Sequence, residues 1–404
     1  MLYLSYLMFK SLKFWLYRLH NINTSLLRDI LICWFRPVLF LSGTKVVKLK
    51  IVLLFIIFLG VGAVGWTNPS YAGLPAGNAI TDGKALLRYA LPINNQAIRN
   101  LQIHLEDISN QIRANRRWNA ISKDISKALN ILDKPNEIIR DIPQIYNIQA
   151  EDLIKELKDG VVNLQKFIPT KNKDKILQER SQLLYLVGKL EELMIQDFPF
   201  EVPEKYSNLP QLKGRATIEI ETIKGDITMV VDGYSAPITA GNFVDLVQRG
   251  FYDGLEFTRA EESYVVQTGD PPGEEFGFVD TKTKQYRFIP LEILVDGDNK
   301  PLYGNTFEQA GLYTKLPQLP FSAYGTVAMA HAEVDVNNAS SQFFFLLFDS
   351  ELTPAGRNIL DGQYSVFGYV TQGKEVLGKI RAGDKIMAAK VISGGEKLIQ
   401  PKAA

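Results

Sequence analysis

Phe257-Thr258-Arg259-Ala260-Glu261-Glu262-Ser263-Tyr264-Val265-Val266-Gln267-Thr268-Gly269-Asp270 is the stretch on which the fold turns. Tyr264–Thr268 reads as a strand, and an arginine and a glutamine amide flank its apolar run. A second stretch repeats that composition: Ala328-Met329-Ala330-His331-Ala332, then Ser341-Gln342-Phe343-Phe344-Phe345. One arginine and two glutamine amides among aromatic and small apolar side chains suit chemistry on a peptide bond.

Working outward, apolar residues alternate with polar ones. Ala216, Ile218 and Ile220 alternate with Thr217, Glu219 and Glu221, as in a half-buried strand. Lys224-Gly225-Asp226 is a turn, with a return strand over Ile227–Val231. Pro237–Gln248 reads as a helix, with proline in its first turn and Gly250 just past its end. Strand-like runs follow at Thr326–Met329, Gln342–Leu347 and Tyr364–Thr371, and Lys374–Arg381 reads as a second helix. Many short strands with two helices predict a closed antiparallel barrel capped at its ends.

The N-terminal half has a different period. Ile98, Leu101, Leu105, Ile108 and Ile112 form one stripe; Trp118, Ile121, Ile125, Leu129 and Leu132 form a second. Leu153, Leu157, Val161, Leu164 and Ile168 form a third, and Leu183, Val187, Leu190 and Met194 a fourth. Spacings of three and four predict amphipathic helices over about Thr81–Phe198, broken at Lys134-Pro135 and Ile142-Pro143, with Pro169 ending the third and Asn172 capping the fourth. Four such helices predict an antiparallel bundle whose stripes are core. Arg113, Arg116 and Arg117 are expected at a solvated helix end. Pro199, Pro203 and Pro210 mark a stiff linker. The expected organisation is α+β and multidomain: a leader over 1–72, a helical bundle over 73–198, a proline-rich linker over 199–213, and a barrel domain over 214–404 with an insertion at about 271–325.

Lys45, Lys48 and Lys50 precede an uncharged run from Ile51 to Trp66, followed by Ser70-Tyr71-Ala72. This is the pattern of an export signal, cleaved after Ala72. Residues 1–44, with Asp29 their only acid, are expected to precede the true start; a second targeting element is the other reading. Net charge is +1, which leaves no electrostatic footprint for nucleic acid. The single cysteine, Cys33, lies in the leader, and the three histidines are far apart with no CxxC or HExxH spacing. No thiol nucleophile, metal site or cofactor is therefore expected.

Pro237-Ile238-Thr239-Ala240-Gly241-Asn242-Phe243, Phe251-Tyr252-Asp253-Gly254, Phe257-Thr258-Arg259, Gln267-Thr268-Gly269-Asp270, Ser341-Gln342-Phe343-Phe344, Val366-Phe367-Gly368 and Val391-Ile392-Ser393-Gly394-Gly395 occur in the order found in cyclophilins. The C-terminal region thus resembles the cyclophilin-type peptidyl-prolyl cis-trans isomerases, which implies their eight-stranded barrel. The resemblance implies Arg259 as the catalytic donor and Gln267 as the amide that orients it. Tyr264, Val265, Phe344 and Leu360 would line the proline pocket, with Tyr364 at the place of the family's pocket histidine. Ala330, His331 and Gln342 would hold the backbone of a bound peptide.

The departures from the family's pattern bear on turnover. Thr258-Arg259 replaces a His-Arg pair, and the following turn, Ala260-Glu261-Glu262-Ser263, carries two acids that can pair with Arg259. Tyr264 replaces a phenylalanine, His331 an asparagine, Ile359 the tryptophan of drug-sensitive members, and Tyr364 a histidine. Binding of proline peptides is expected, with weak isomerisation and weak or no binding of cyclosporin. The helical region, the export signal and the insertion together resemble the large thylakoid-lumen cyclophilins, whose N-terminal domain is PsbQ-like. That implies a thylakoid-lumen or periplasmic location. It also implies proline-containing segments of photosystem II subunits, or other thylakoid membrane-protein loops, as partners during assembly or maintenance. The alternative is a non-catalytic chaperone that uses the groove and the bundle only as binding surfaces.

Overall fold

The computed structural model describes residues 80–401 apart from 115–116, 282 and 349–357. The leader, its cleavage site after Ala72 and Arg116 of the basic cluster lie outside the described residues. Four long helices follow the four stripes: α2 (Gln96–Arg113), α3 (Trp118–Leu132), α5 (Asn147–Lys166) and α6 (Lys173–Glu192), with a short α4 (Pro135–Ile139) between α3 and α5. Their apolar faces meet in one core: Leu101, Leu105, Ile125, Leu157, Leu164, Val187 and Leu190 are fully or almost fully buried there. Asn172 Oδ1 accepts from Lys175 N at 3.1 Å and caps α6. Asn95 Oδ1 caps α2 through Ile98 N at 3.0 Å. Asn95 Nδ2 meanwhile donates to Glu137 O and Ile138 O, tying α4 to the same corner.

One helix does not join that core. In α1 (Gly83–Tyr89), Leu86 and Leu87, with Ala90 just beyond, pack with residues of the C-terminal half. Seven residues are too few to show a stripe, so periodicity alone could not assign this segment a partner. Polar contacts hold it from both sides. Arg88 bonds Glu106 of α2 at 2.9 Å, and Arg99 of α2 donates to Arg88 O and Leu91 O. Arg215, itself paired with Asp232 at 2.8 Å, donates to Leu87 O.

The C-terminal half is a curled, eight-stranded antiparallel sheet in the order β11-β2-β3-β10-β8-β9-β5-β4. Its strands are β2 (Arg215–Thr222), β3 (Gly225–Asp232), β4 (Phe257–Glu261), β5 (Val265–Thr268), β8 (Thr326–Met329), β9 (Phe343–Leu346), β10 (Val366–Gln372) and β11 (Ile386–Ser393). Two small pairs lie outside it: β1 (Gln211–Leu212) with β12 (Leu398–Ile399), and β6 (Glu292–Ile293) with β7 (Leu302–Tyr303). The sheet is not a continuous ring of strands, as a closed barrel requires. Edge strands β11 and β4 meet only near Glu256 and Lys385, where a single bridge forms and Phe257 N donates to Asp384 O. Register shifts at Phe257/Arg259 and Ile386/Ala388 flank that point and stop the ladder.

The concave face closes over α7 (Pro237–Gln248), with Phe243, Phe257, Phe343, Phe345 and Phe367 fully buried. The second helix is shorter than its expected Lys374–Arg381 span: α8 is Lys374–Leu377, and Lys379 and Ile380 continue in three-residue turns. The insertion has its own small core of Leu291, Ile293, Val295 and Phe307.

Candidate functional site

Strand pairing builds the site. Arg259 pairs with Gln267, Gln267 with Phe344, Phe344 with Ala328, and Ala328 with Val366. Directly paired residues point to the same face of a sheet. These five side chains therefore form one row across β4, β5, β9, β8 and β10, on the convex face. Alternation sends Phe343 and Phe345 into the concave core and Phe344 and Leu346 outward. Val265, two residues from Gln267, lies on the outer face as well.

The row runs from polar to apolar. At its open end the Arg259 side chain is 46% exposed; Nε donates to Glu261 Oε1 at 2.6 Å, and the guanidinium lies 5.6 Å from the Tyr264 ring. Glu261 is two residues along the same strand, hence on the same face. The hydrogen bond to Glu261 holds the Arg259 proton more firmly than usual, and the same contact lowers the Glu261 carboxyl's pKa. The expected bond between Gln267 and the arginine is not made. Gln267 Nε2 donates to Gln342 Oε1 at 2.8 Å. Gln342 Nε2 in turn donates to Asp270 Oδ1 and to Phe276 O, both at 2.9 Å. Burial raises the Asp270 carboxyl's pKa.

At the apolar end, Phe344 is only 6% exposed. Tyr364 stands edge-on to it at 5.4 Å, and Phe321 lies parallel to it at 6.0 Å. Leu360 and Ala330 pack beside the same cluster. His331 stacks on Tyr364 at 4.6 Å, with Nδ1 3.0 Å from Ala332 O and Nε2 2.9 Å from Gln363 O. Burial raises the Tyr364 hydroxyl's pKa. The geometry thus brings Arg259, Tyr264, Val265, Gln267, Gln342, Phe344, Ala330, Leu360, Tyr364 and His331 to one face. His331 acts in it as a brace between backbone carbonyls and the Tyr364 ring.

Phe321 is the site residue that sequence reasoning missed. Its run, Leu319-Pro320-Phe321, was visible as apolar sequence, but nothing local says that it folds back on Phe344. Asp361 Oδ1 accepting from Phe321 N at 2.8 Å, and Asn358 donating to Phe321 O, fix it there.

Comparison with known proteins gives the family of both halves. Residues 217–394 match the cyclophilin type peptidyl-prolyl cis-trans isomerase family, and residues 82–195 match the CYP38-like, PsbQ-like domain. A Synechocystis sp. protein, sll0408, named as a thylakoid lumen peptidyl-prolyl cis-trans isomerase, is 54% identical over 341 residues, covering 83% of this chain and 90% of its own. This chain belongs to the cyclophilin-type peptidyl-prolyl cis-trans isomerases. Arabidopsis thaliana chloroplastic CYP38 is 42% identical over 344 residues, 82% of this chain and 78% of that one. Chloroplastic CYP37 of the same plant is 35% identical over 345 residues, 79% and 71% of the two chains. Both halves therefore have relatives in one protein: a PsbQ-like region followed by a cyclophilin.

In this cyclophilin the insertion braces the site from behind. Glu292 is fully buried and accepts from Thr239 N at 2.8 Å and Thr239 Oγ1 at 2.9 Å, in the first turn of α7. Ser365, beside Tyr364, accepts from Glu292 N at 2.8 Å. Asn337 accepts from Leu291 N, and Asn338 from Ala332 N, which fixes the loop after His331. Among the described residues no cluster of His, Cys, Asp and Glu is arranged to hold a metal, and no helix is long and apolar enough to cross a membrane.

Proposed function

We propose that this cyclophilin binds X–Pro segments of exported polypeptides across the row from Arg259 to Phe344 and isomerises them slowly. Amide resonance sets a barrier of about 18–20 kcal/mol, yet the two X–Pro isomers are close in energy. No covalent step is needed. The pyrrolidine ring sits against Phe344, Val265 and Tyr364; the Gln267 amide proton that does not go to Gln342 donates to a flanking carbonyl, and the Ala330 carbonyl accepts from a peptide N–H. As the amide twists, its nitrogen gains a lone pair. A guanidinium aimed there binds the twisted state better than either planar state. Glu261 occupies Nε and leaves the Nη groups for that nitrogen, at the cost of a partner that competes with substrate. The observation that carries this reading is the single row that places the cation and the apolar floor on one face.

The same reading covers the rest of the chain. The leader over 1–72 exports the protein to the thylakoid lumen or periplasm, with cleavage after Ala72. Residues 73–198 act as the helical domain, whose four long helices form an antiparallel bundle, 199–213 as the linker, and 214–404 as the cyclophilin domain. The relatives' names support a lumenal setting, where photosystem II subunits in assembly or repair are the proposed clients.

A second reading is favoured by one observation: Phe344 is almost covered, by Phe321 and Tyr364, and Glu261 clasps Arg259. Both suit a groove that holds proline segments without turning them. Exchange NMR on an Ala-Pro peptide with catalytic amounts of protein separates the two. Cis–trans cross-peaks lost on Arg259→Ala support the enzyme; peptide line-broadening without cross-peaks supports the holder. Rescue of photosystem assembly by Arg259→Ala in a deletion strain would assign the cellular role to binding alone.

A further inference from the structure

Beside the groove lies a feature that isomerisation does not use. Phe276, Tyr286 and Phe288 form three nearly parallel rings, with centroids 4.7, 5.5 and 6.1 Å apart and interplanar angles of 19°, 11° and 21°. All three mutual distances are short, so the rings overlap as a shingled platform rather than a column. Phe276 is 50% exposed and Phe288 41%. An apolar platform left open to water is uncommon without a partner. It is also built onto the groove: Gln342, which bonds Gln267 in the row, donates its other amide proton to Phe276 O.

Charge selects the partner. Glu274 and Glu275 are exposed and directly precede Phe276, and Asp270 shares Gln342 with Phe276. Glu262 lies on the turn after Arg259. Of the described cations on the platform's own segment, Arg287 is turned inward to Asp245 at 2.6 Å and lies 4.6 Å from Phe278, and Lys284 is exposed in the turn before Tyr286. Electron-rich ring faces edged by carboxylates attract a planar cation, which stacks on the rings while its edge pairs with the acids.

We propose that the Phe276–Tyr286–Phe288 platform is a substrate subsite for a cationic side chain, arginine above all, carried by the same polypeptide that offers its X–Pro bond to the groove. This rests on the groove reading above and narrows its clients to proline segments flanked by a basic residue.

The test uses a proline core peptide and extended peptides that carry arginine, leucine or glutamate at two to five residues on either side of the proline. Binding to the whole protein is followed by fluorescence anisotropy. The arginine peptide should bind about three- to tenfold tighter than the leucine one, a gain that shrinks with salt. Phe276→Ser/Phe288→Ser should abolish the gain and leave the core peptide unchanged. Glu274→Gln/Glu275→Gln, at exposed positions that do not endanger folding, should lower it. Equal affinities for arginine and leucine, a preference for leucine, or a gain that survives both variants would overturn the proposal. Failure of the groove reading would show separately, as no binding of the core peptide while the arginine-dependent gain is read from the extended ones; loss of both would overturn both.

Discussion

Replacing Glu292 by glutamine should remove a defined part of the protein's pH dependence. Glu292 is fully buried beneath the insertion, against Thr239 and Ile238 of α7 and the Tyr303 hydroxyl, with Lys213 the nearby cation. Burial raises its pKa from 4.5 to about 7, outweighing the hydrogen bonds from Thr239 and Ile238 that favour the ionised form. The folded pKa lies above the unfolded one, so the native state keeps a proton that the unfolded chain gives up. The stabilisation is present in full below the unfolded pKa of 4.5 and is lost as pH rises through about 7. At about 1.36 kcal/mol per pKa unit, a change of that size is worth roughly 3 kcal/mol. Glu191 of α6, buried against Arg99, is shifted by burial to about 7 as well, so the wild type loses stability from two sites. Urea unfolding at about pH 5 and about pH 8 measures this. Between those pH values Glu292→Gln should gain roughly 3 kcal/mol on wild type, and Glu191→Gln should gain independently because it lies in the other core. An unchanged pH response in Glu292→Gln would mean that Glu292 does not hold its proton in the folded protein.

Three further outcomes follow from local geometry. Asn172→Ala removes the α6 cap and should cost about 1 kcal/mol in urea unfolding, with no effect on peptide binding. Gly241→Ala puts a Cβ 2.6 Å from Pro210 O in β1's approach to α7, and overpacking against backbone should cost roughly 1–3 kcal/mol. Cyclosporin should leave activity unchanged at micromolar concentration, since Ile359, 86% exposed, stands where drug-sensitive cyclophilins have tryptophan; inhibition in an isomerisation assay would contradict this.

Regular periodicity made most of the fold legible. The four stripes, the Asn172 cap and the Pro237–Gln248 helix are all local signals, and the helices stand where the spacing put them, although Ile168 and Met194 fall in turns just past α5 and α6. The polar end of the site was legible for a similar reason: Glu261 and Arg259 are two residues apart on one strand, so their ion pair is a sequence-level contact. What could not be read was long-range. Leu86 and Leu87 sit in a helix too short to declare a face, and the buried residues of their cluster, Val265 to Tyr369, are about 180 to 280 residues later in the chain. Phe321 reaches Phe344 only because Asp361 and Asn358 hold its backbone. Gln267 bonds Gln342, a partner 75 residues away, rather than Arg259, which ordered motifs do not reveal. The break in the sheet between β4 and β11 likewise depends on register shifts, which leave no mark in composition.

Arg259 remains a working donor although Glu261 restrains it. Initial rates of prolyl isomerisation for wild type, Arg259→Ala and Glu261→Gln test it directly. The two variants should move in opposite directions: Arg259→Ala falls about a hundredfold or to background, the usual cost of removing a transition-state donor, while Glu261→Gln, with Arg259 released, exceeds wild type. Equal rates in wild type and Arg259→Ala, or a fall in Glu261→Gln, would contradict it.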